Sequence, residues 1–276
     1  MTSKSSTRPR RRRIRVAVLA VLGVGAAVAF ALRNTDVVEM PTPPGIEGPY
    51  TSLSRAEVLD LLKPCHAAVS KLKDYSATLV KQERVKGELL AEQRVFLKLR
   101  HQPFSVYLRF LAPDSKKDTQ AIYREEPDGG KMWGTLFGFW VPLDPTKPAP
   151  GQKYPVTNIG MKNLAARLIR GVEEARDARQ PVRPAIRLYK DQRIDGRACE
   201  CVTIFTPPGA EKELGRLTYV FIDKQTGLLY RYEGYDWSGN KTDPQQLDER
   251  YEYRNVKPDQ GFGDKDFDTE NEEYEL

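Results

Sequence analysis

Apolar and polar positions alternate most clearly between Leu217 and Val256, where the chain reads LTYVFIDKQTGLLYRYEGYDWSGNKTDPQQLDERYEYRNV. Three runs rich in Tyr, Val, Ile and Leu are separated by Lys224-Gln225-Thr226-Gly227 and Ser238-Gly239-Asn240. β-Branched and aromatic residues between such turn residues predict antiparallel strands. Leu217, Tyr219 and Phe221 fall on one face of the first run, and Thr218, Val220 and Ile222 on the other. The last run puts Tyr251 and Tyr253 on one face and Glu252 and Arg254 opposite. A strand that is apolar on both faces requires cover on both sides.

The same reading extends upstream. Ser54-Arg55-Ala56-Glu57 forms a capping box, and Val58, Leu62, Cys65, Val69 and Leu72 follow at helical spacing. This predicts an amphipathic helix lying on a sheet, kinked or split at Pro64. Strands are expected at 75–86, 90–100, 104–111, 120–125 and 131–136, then at 185–194 and 197–206 around the Asp195-Gly196 hairpin turn. In the second of these, Phe96, Lys98 and Arg100 form a wet face. Residues 132–143, MWGTLFGFWVPL, read as an aromatic loop, followed by a Pro-rich segment at 142–155. Thr157 or Asn158 then caps a second helix. Its buried positions are Met161, Leu164, Leu168 and Val172, and Arg167, Arg170, Glu173 and Glu174 form its wet face. The order of helix, strands, helix, strands predicts an α+β domain.

Charge divides the chain. The formal net charge is +6, but eight basic residues lie in the first 33 positions and no acid does. The remainder carries 36 bases against 38 acids, so nothing points to nucleic acid. Residues 1–13 form a basic tail expected in the cytoplasm. The segment 14–33 holds Val16–Leu32, 17 residues without a charge, read as a membrane anchor. The alternative is a signal peptide cut at Ala27-Val28-Ala29 or Ala29-Phe30-Ala31. Either way the following domain is exported. A Pro/Gly-rich linker at 34–53 leads into it, and the domain proper spans 54–276.

Chemistry-bearing patterns are sparse. Cys65, Cys199 and Cys201 read as small buried hydrophobes, although Cys65 could pair with either of the other two. His66 and His101 are the two histidines, and no His/Cys/Asp/Glu cluster has metal-ligand spacing. No nucleophile elbow or phosphate-binding loop occurs. No cofactor and no catalytic residue are expected. Asp264, Asp266, Asp268, Glu270, Glu272 and Glu275 are spaced like calcium ligands, but position six of that loop is Thr269 rather than Gly. A solvated acidic tail is expected instead. What remains is binding. An exported, tethered sheet with two helices and an aromatic loop suggests a groove for an apolar ligand, lined or lidded by Trp133, Leu136, Phe137, Phe139 and Trp140. The alternative is that these aromatics plug the sheet as core, in an envelope structural or protein-interaction module with no small ligand.

Several segments carry a family resemblance. The meander FIDKQTGLLYRYEGYD, with ERYEYRNVKPDQGFGDKDFD after its turn, resembles the closing strands of the outer-membrane lipoprotein carriers of the LolA/LolB type, which end on a Phe such as Phe267. DYSATLVKQERVKGELL (74–90), PFSVYLRFLAP (103–113), YPVTNIGMKNL (154–164) and FDTENEEYEL (267–276) are similar to the domain of unknown function 1571 family of exported bacterial proteins. The resemblance implies a strongly curved, open antiparallel half-barrel of about nine to eleven strands. Helices would pack in its concave side, where the carriers hold acyl chains. It implies a lipid or a lipoprotein acyl chain as partner, and a place in the periplasm or cell envelope. No position matches the carriers' functional arginine. A retained anchor would stop a soluble shuttle but suits an envelope sensor with its own protein partner.

Overall fold

The computed structural model describes residues 45–126, 130–174, 185–206, 216–236 and 246–274. The predicted membrane segment at 16–32 lies outside them. Among the described residues no helix is long and apolar enough to cross a membrane.

The elements in chain order are β1 (Thr51–Ser52), α1 (Arg55–Ser70), β2 (Asp74–Val85), β3 (Glu88–Leu89), β4 (Gln93–His101), β5 (Phe104–Ala112), β6 (Gln120–Arg124), β7 (Lys131–Leu136) and β8 (Phe139–Leu143). Then come α2 (Met161–Glu174), β9 (Ala185–Ile194), β10 (Arg197–Phe205), β11 (Leu217–Asp223), β12 (Leu229–Asp236) and β13 (Gln246–Pro258). They form one open antiparallel sheet of 13 strands, ordered β1-β9-β10-β11-β12-β13-β2-β4-β5-β6-β7-β8, with β3 paired to β2. The count exceeds the nine to eleven expected. Two of the additions, β1 and β3, are two residues long and too short to show alternation. The third, β8, carries Pro142, which reads as a loop residue but is tolerated on an edge strand. Residues 132–143 are therefore largely a hairpin. Its turn, Phe137-Gly138, has φ of 51° and 80°, the left-handed pair that a two-residue hairpin needs.

Both helices pack on one face of this sheet. Val58, Leu62, Cys65 and Val69 of α1, with Met161, Leu164, Leu168 and Val172 of α2, join Leu97, Leu99, Val202 and Val220 in one core. The Ser54–Glu57 capping box is formed as expected. α1 runs unbroken through Pro64, however. Pro64 is exposed, so the carbonyl it orphans one turn earlier reaches water, and buried anchors hold the helix on both sides of it. Thr157 and Asn158 do not lead directly into α2, which begins at Met161. Val156–Asn158 forms a 3₁₀ turn, and the Met161 N–H donates instead to the Tyr75 hydroxyl of β2 at 3.1 Å. Gly160, at φ +105°, makes this approach possible, since a Cβ there would lie 2.6 Å from Leu99 Cδ1.

The other face is covered too, as the doubly apolar β11 requires. Leu217, Tyr219 and Phe221 join Cys199, Cys201 and Ile46 in an outer cluster, while Val220 and Ile222 face the helices. All three cysteines are free and buried. The C-terminal tail covers the outer face of β4–β6. Tyr274 stacks on Tyr107 with centroids 3.9 Å apart, and Phe262 and Phe267 pack beside them. This corrects two expectations, the solvated tail and the wet face of β4. Lys98 pairs with Asp266 at 3.0 Å, and Arg100 pairs with Asp264 at 2.8 Å. The alternating acids of the tail meet alternating bases on the strand, with aromatic rings between them.

Gly160→Ala strains a left-handed residue and drives a methyl into Leu99. It should lower the unfolding free energy by ~1–3 kcal/mol, measured by urea denaturation; a neutral result would show that α2 can start elsewhere.

Candidate functional site

The helices do not fill the inner face. Between α2, residues 149–160 and β5–β8 lies a cavity of about 710 Å³, partly open to solvent. Its walls are mainly apolar, among them Leu79, Leu108, Phe110, Met132, Leu143 and Tyr253. Period-two alternation explains how they converge, because residues two apart share a face. On β2 the inward set begins Tyr75, Ala77 and Leu79, and it continues with Lys81 and Glu83. On β13 it is Glu249, Tyr251 and Tyr253. Register places Tyr253 opposite Leu79, Tyr251 opposite Lys81 and Glu249 opposite Glu83.

Two buried carboxylates thus stand directly across a strand pair, an arrangement that repels unless it is compensated. Compensation comes from every side. Glu249 accepts from Arg167 at 2.9 Å, Tyr154 at 2.7 Å and Tyr232 at 2.9 Å, and pairs with Lys153 at 3.3 Å. Glu83 accepts from Tyr251 at 2.6 Å and from the Lys153 backbone at 3.0 Å, and pairs with Lys81 at 2.9 Å. Lys81 also donates to Gln152 at 2.6 Å. Burial alone would raise Glu249, yet Arg167 and Lys153 hold it below the usual glutamate value. Burial pulls the Arg167 guanidinium down, but the Glu249 carboxylate leaves it above its ordinary value. Lys81 is lowered by burial, against the opposing pull of Glu83.

Arg167 is therefore not on a wet face. It lies three residues after Leu164 and one before Leu168, at the edge of the apolar stripe, and turns its charge onto the sheet. The sequence signals for this network were Lys81 and Glu83 in phase with Tyr75, Ala77 and Leu79, and Glu249 in phase with Tyr251 and Tyr253.

The five candidate residues separate. Leu136 lines the cavity. Phe137 and Phe139 stand exposed at the hairpin tip beside it, at 90% and 72% exposure. Trp140 packs on the outer cluster with Tyr107 and Phe267. Trp133 lies in a small outer crevice against Phe267 and Asp268. Elsewhere, burial pushes the Cys65 thiol up to about 12 and the Cys199 thiol to about 11, which keeps both protonated. Asp264 and Asp266 of the calcium-like run are engaged by Arg100 and Lys98. Among the described residues no group of His, Cys, Asp and Glu is placed to hold a metal.

Comparison with known proteins gives one family and a set of distant structures. The family described as protein of unknown function DUF1571 matches residues 72–276, well over half the chain. No curated protein matches it. Among solved structures, the lipoprotein LppX of Mycobacterium tuberculosis is 14% identical, covering 76% of this chain and 99% of its own, with a TM-score of 0.45. LprF of Mycobacterium bovis is 14% identical over 75% and 95%, with a TM-score of 0.40. A LolA superfamily protein of Nitrosomonas europaea is 9% identical over 76% and 96%, with a TM-score of 0.37.

Arg167→Met leaves Glu249 buried with less compensation and should cost ~3 kcal/mol of stability by urea denaturation. A carboxylate lowered in the folded state contributes stability above its unfolded value, near ~4.3, and loses it as pH falls through the folded value. Stability should therefore drop below about pH 4, with a shallower drop in Glu249→Gln; equal slopes in both proteins would contradict the assignment.

Proposed function

The chain belongs to the DUF1571 family, and for this member we propose an acyl-chain-binding protein of the cell envelope. Residues 16–32 hold it at the inner membrane, where it acts as a carrier, receptor or sensor of a lipid or of a lipoprotein's acyl chain. The cavity of about 710 Å³ carries the proposal. It falls in the size range of small-molecule sites, roughly 300–1,000 Å³, and is walled mainly by aliphatic and aromatic side chains. Unfilled apolar space costs stability, and a flexible hydrocarbon chain fills it without needing a hydrogen-bond partner along its length. In this reading the open sheet is a half-barrel whose concave side is shared between two helices and the ligand.

The β7–β8 hairpin forms the mouth. Leu136 reaches the cavity, Phe137 and Phe139 stand at the entrance, and Trp133 and Trp140 brace the hairpin from behind. Phe137, a non-glycine residue at φ 51° and almost fully exposed, is placed for contact rather than for packing. The same tip supports a second reading, an envelope interaction module with no small ligand, because three neighbouring exposed apolar side chains also suit a protein partner. No catalytic role is assigned in either reading.

Titration of the purified protein with a fluorescent fatty acid tests the two. Saturable uptake is expected, and Ala166→Trp, which places an indole into the cavity from α2, should abolish it with little change in melting temperature. Uptake that survives the indole, or no saturable uptake at all, would remove the lipid reading.

A further inference from the structure

The polar end of the cavity holds more positive charge than its own carboxylates balance. Among the described cavity-lining residues, Lys81, Lys116, Arg167 and Arg170 are cations and Glu83 is the one carboxylate. Arg167 is matched to Glu249 at 2.9 Å and Lys81 to Glu83 at 2.9 Å. Adding the neighbouring Glu249, Asp248 and Lys153 gives five cations against three carboxylates, a surplus of two. The surplus lies in Lys116 and Arg170, for which no carboxylate lies within 4.0 Å among the described residues.

Lys116 is set into the wall rather than left waving in solvent. It ends the short 3₁₀ turn Asp114–Lys116, and its backbone is fixed by bonds to Pro113 and Thr119. The ammonium lies 5.7 Å from the centre of the Phe110 ring. On its other side is Gly151, where a Cβ would come within 3.0 Å of Nζ. Burial lowers the proton affinity of Lys116, and Lys81 nearby lowers it further, against an opposing pull from Glu83. A half-buried ammonium with a second ammonium near it in a mainly apolar cavity is an unsatisfied electrostatic position, and an anion would relieve it.

We infer that this end of the cavity is a subsite for an oxyanion head group, the carboxylate or phosphate of an amphiphile, with Lys116 as the cation that meets it and Arg170 at the rim. The inference rests on the acyl-chain reading and narrows it. The hydrocarbon lies along Leu108, Met132 and Leu143, and the head group points to Lys116, so the ligand is an anionic lipid rather than a neutral one. Lys81 stays committed to Glu83 and Gln152 and supplies field rather than a direct contact.

The full-length protein is to be tested by displacement of an uncharged apolar dye with hexadecanoic acid, phosphatidylglycerol and hexadecan-1-ol. The anionic probes should displace the dye at about tenfold lower concentration than the alcohol, as a charge-assisted bond predicts. Whichever anion is stronger identifies the source of the oxyanion. Lys116→Gln should erase the preference, bringing the anionic probes to the level of the alcohol, and Lys116→Arg should keep it. Equal displacement by acid and alcohol in the native protein, or an equal loss for all probes in Lys116→Gln with Lys116→Arg no better, would overturn the head-group subsite while leaving the acyl-chain reading standing. Failure of every amphiphile, the alcohol included, would overturn both.

Discussion

Glu83 and Glu249 face each other across the β2–β13 pair, buried, at the seam where the two ends of the sequence meet in the sheet. Two ionised carboxylates cannot be buried side by side without counter-charge. Lys81 of β2 meets Glu83, and the counter-charge for Glu249 comes from outside the two strands. Lys153 and Tyr154 belong to the segment before α2, and Arg167 belongs to α2 itself. The repulsion inside the sheet is thus what fastens the helix and its leading segment to it. The hydrophobic face of α2 sets which side is buried. The glutamates fix where along the sheet the helix lies, since Arg167 must reach Glu249.

That placement leaves the cavity. With Arg167 tied to the seam and Met161 tied to Tyr75, α2 lies over the central strands and does not extend across β5–β8. Leu108, Phe110, Met132 and Leu143 of those strands line the remaining space, and the segment 149–160 closes one side of it instead of filling it. The outer face needs no such vacancy. The tail covers β4–β6 with rings and matched charges, and Ile46 joins the cluster over β9–β12. One side of the sheet is packed for stability, and the other keeps room. On the proposed reading that room is for an acyl chain.

The alternation of β11 announced a strand covered on both faces, and each half of the pattern reached its own cluster. The apolar stripe of α2 was equally plain. What the pattern hid were charges in apolar company. Arg167 reads as a wet-face residue because isolated helix rules place charge in water, and only the buried Glu249 opposite reverses that. Lys98 and Arg100 read as exposed for the same reason, until a tail more than 160 residues away supplies their partners. The strand at 131–136 is legible, but its partner at 139–143 is not, because the turn is Phe-Gly rather than Asn-Gly and Pro142 suggests a loop. Of the five residues expected to line or lid an apolar groove, Leu136 lines the cavity, and the polar end of that cavity has no signature beyond the phase of Lys81, Glu83 and Glu249.

On the proposed reading, the space left by the Glu83–Glu249 clamp is held for an anionic acyl ligand. Native mass spectrometry of the protein purified from its own cells, followed by solvent extraction, measures this directly. A co-purifying mass of lipid size that is lost on extraction is expected, with a carboxylate- or phosphate-bearing amphiphile in the extract. Reproducible absence of any such mass, from protein that also takes up no added fatty acid, would contradict it.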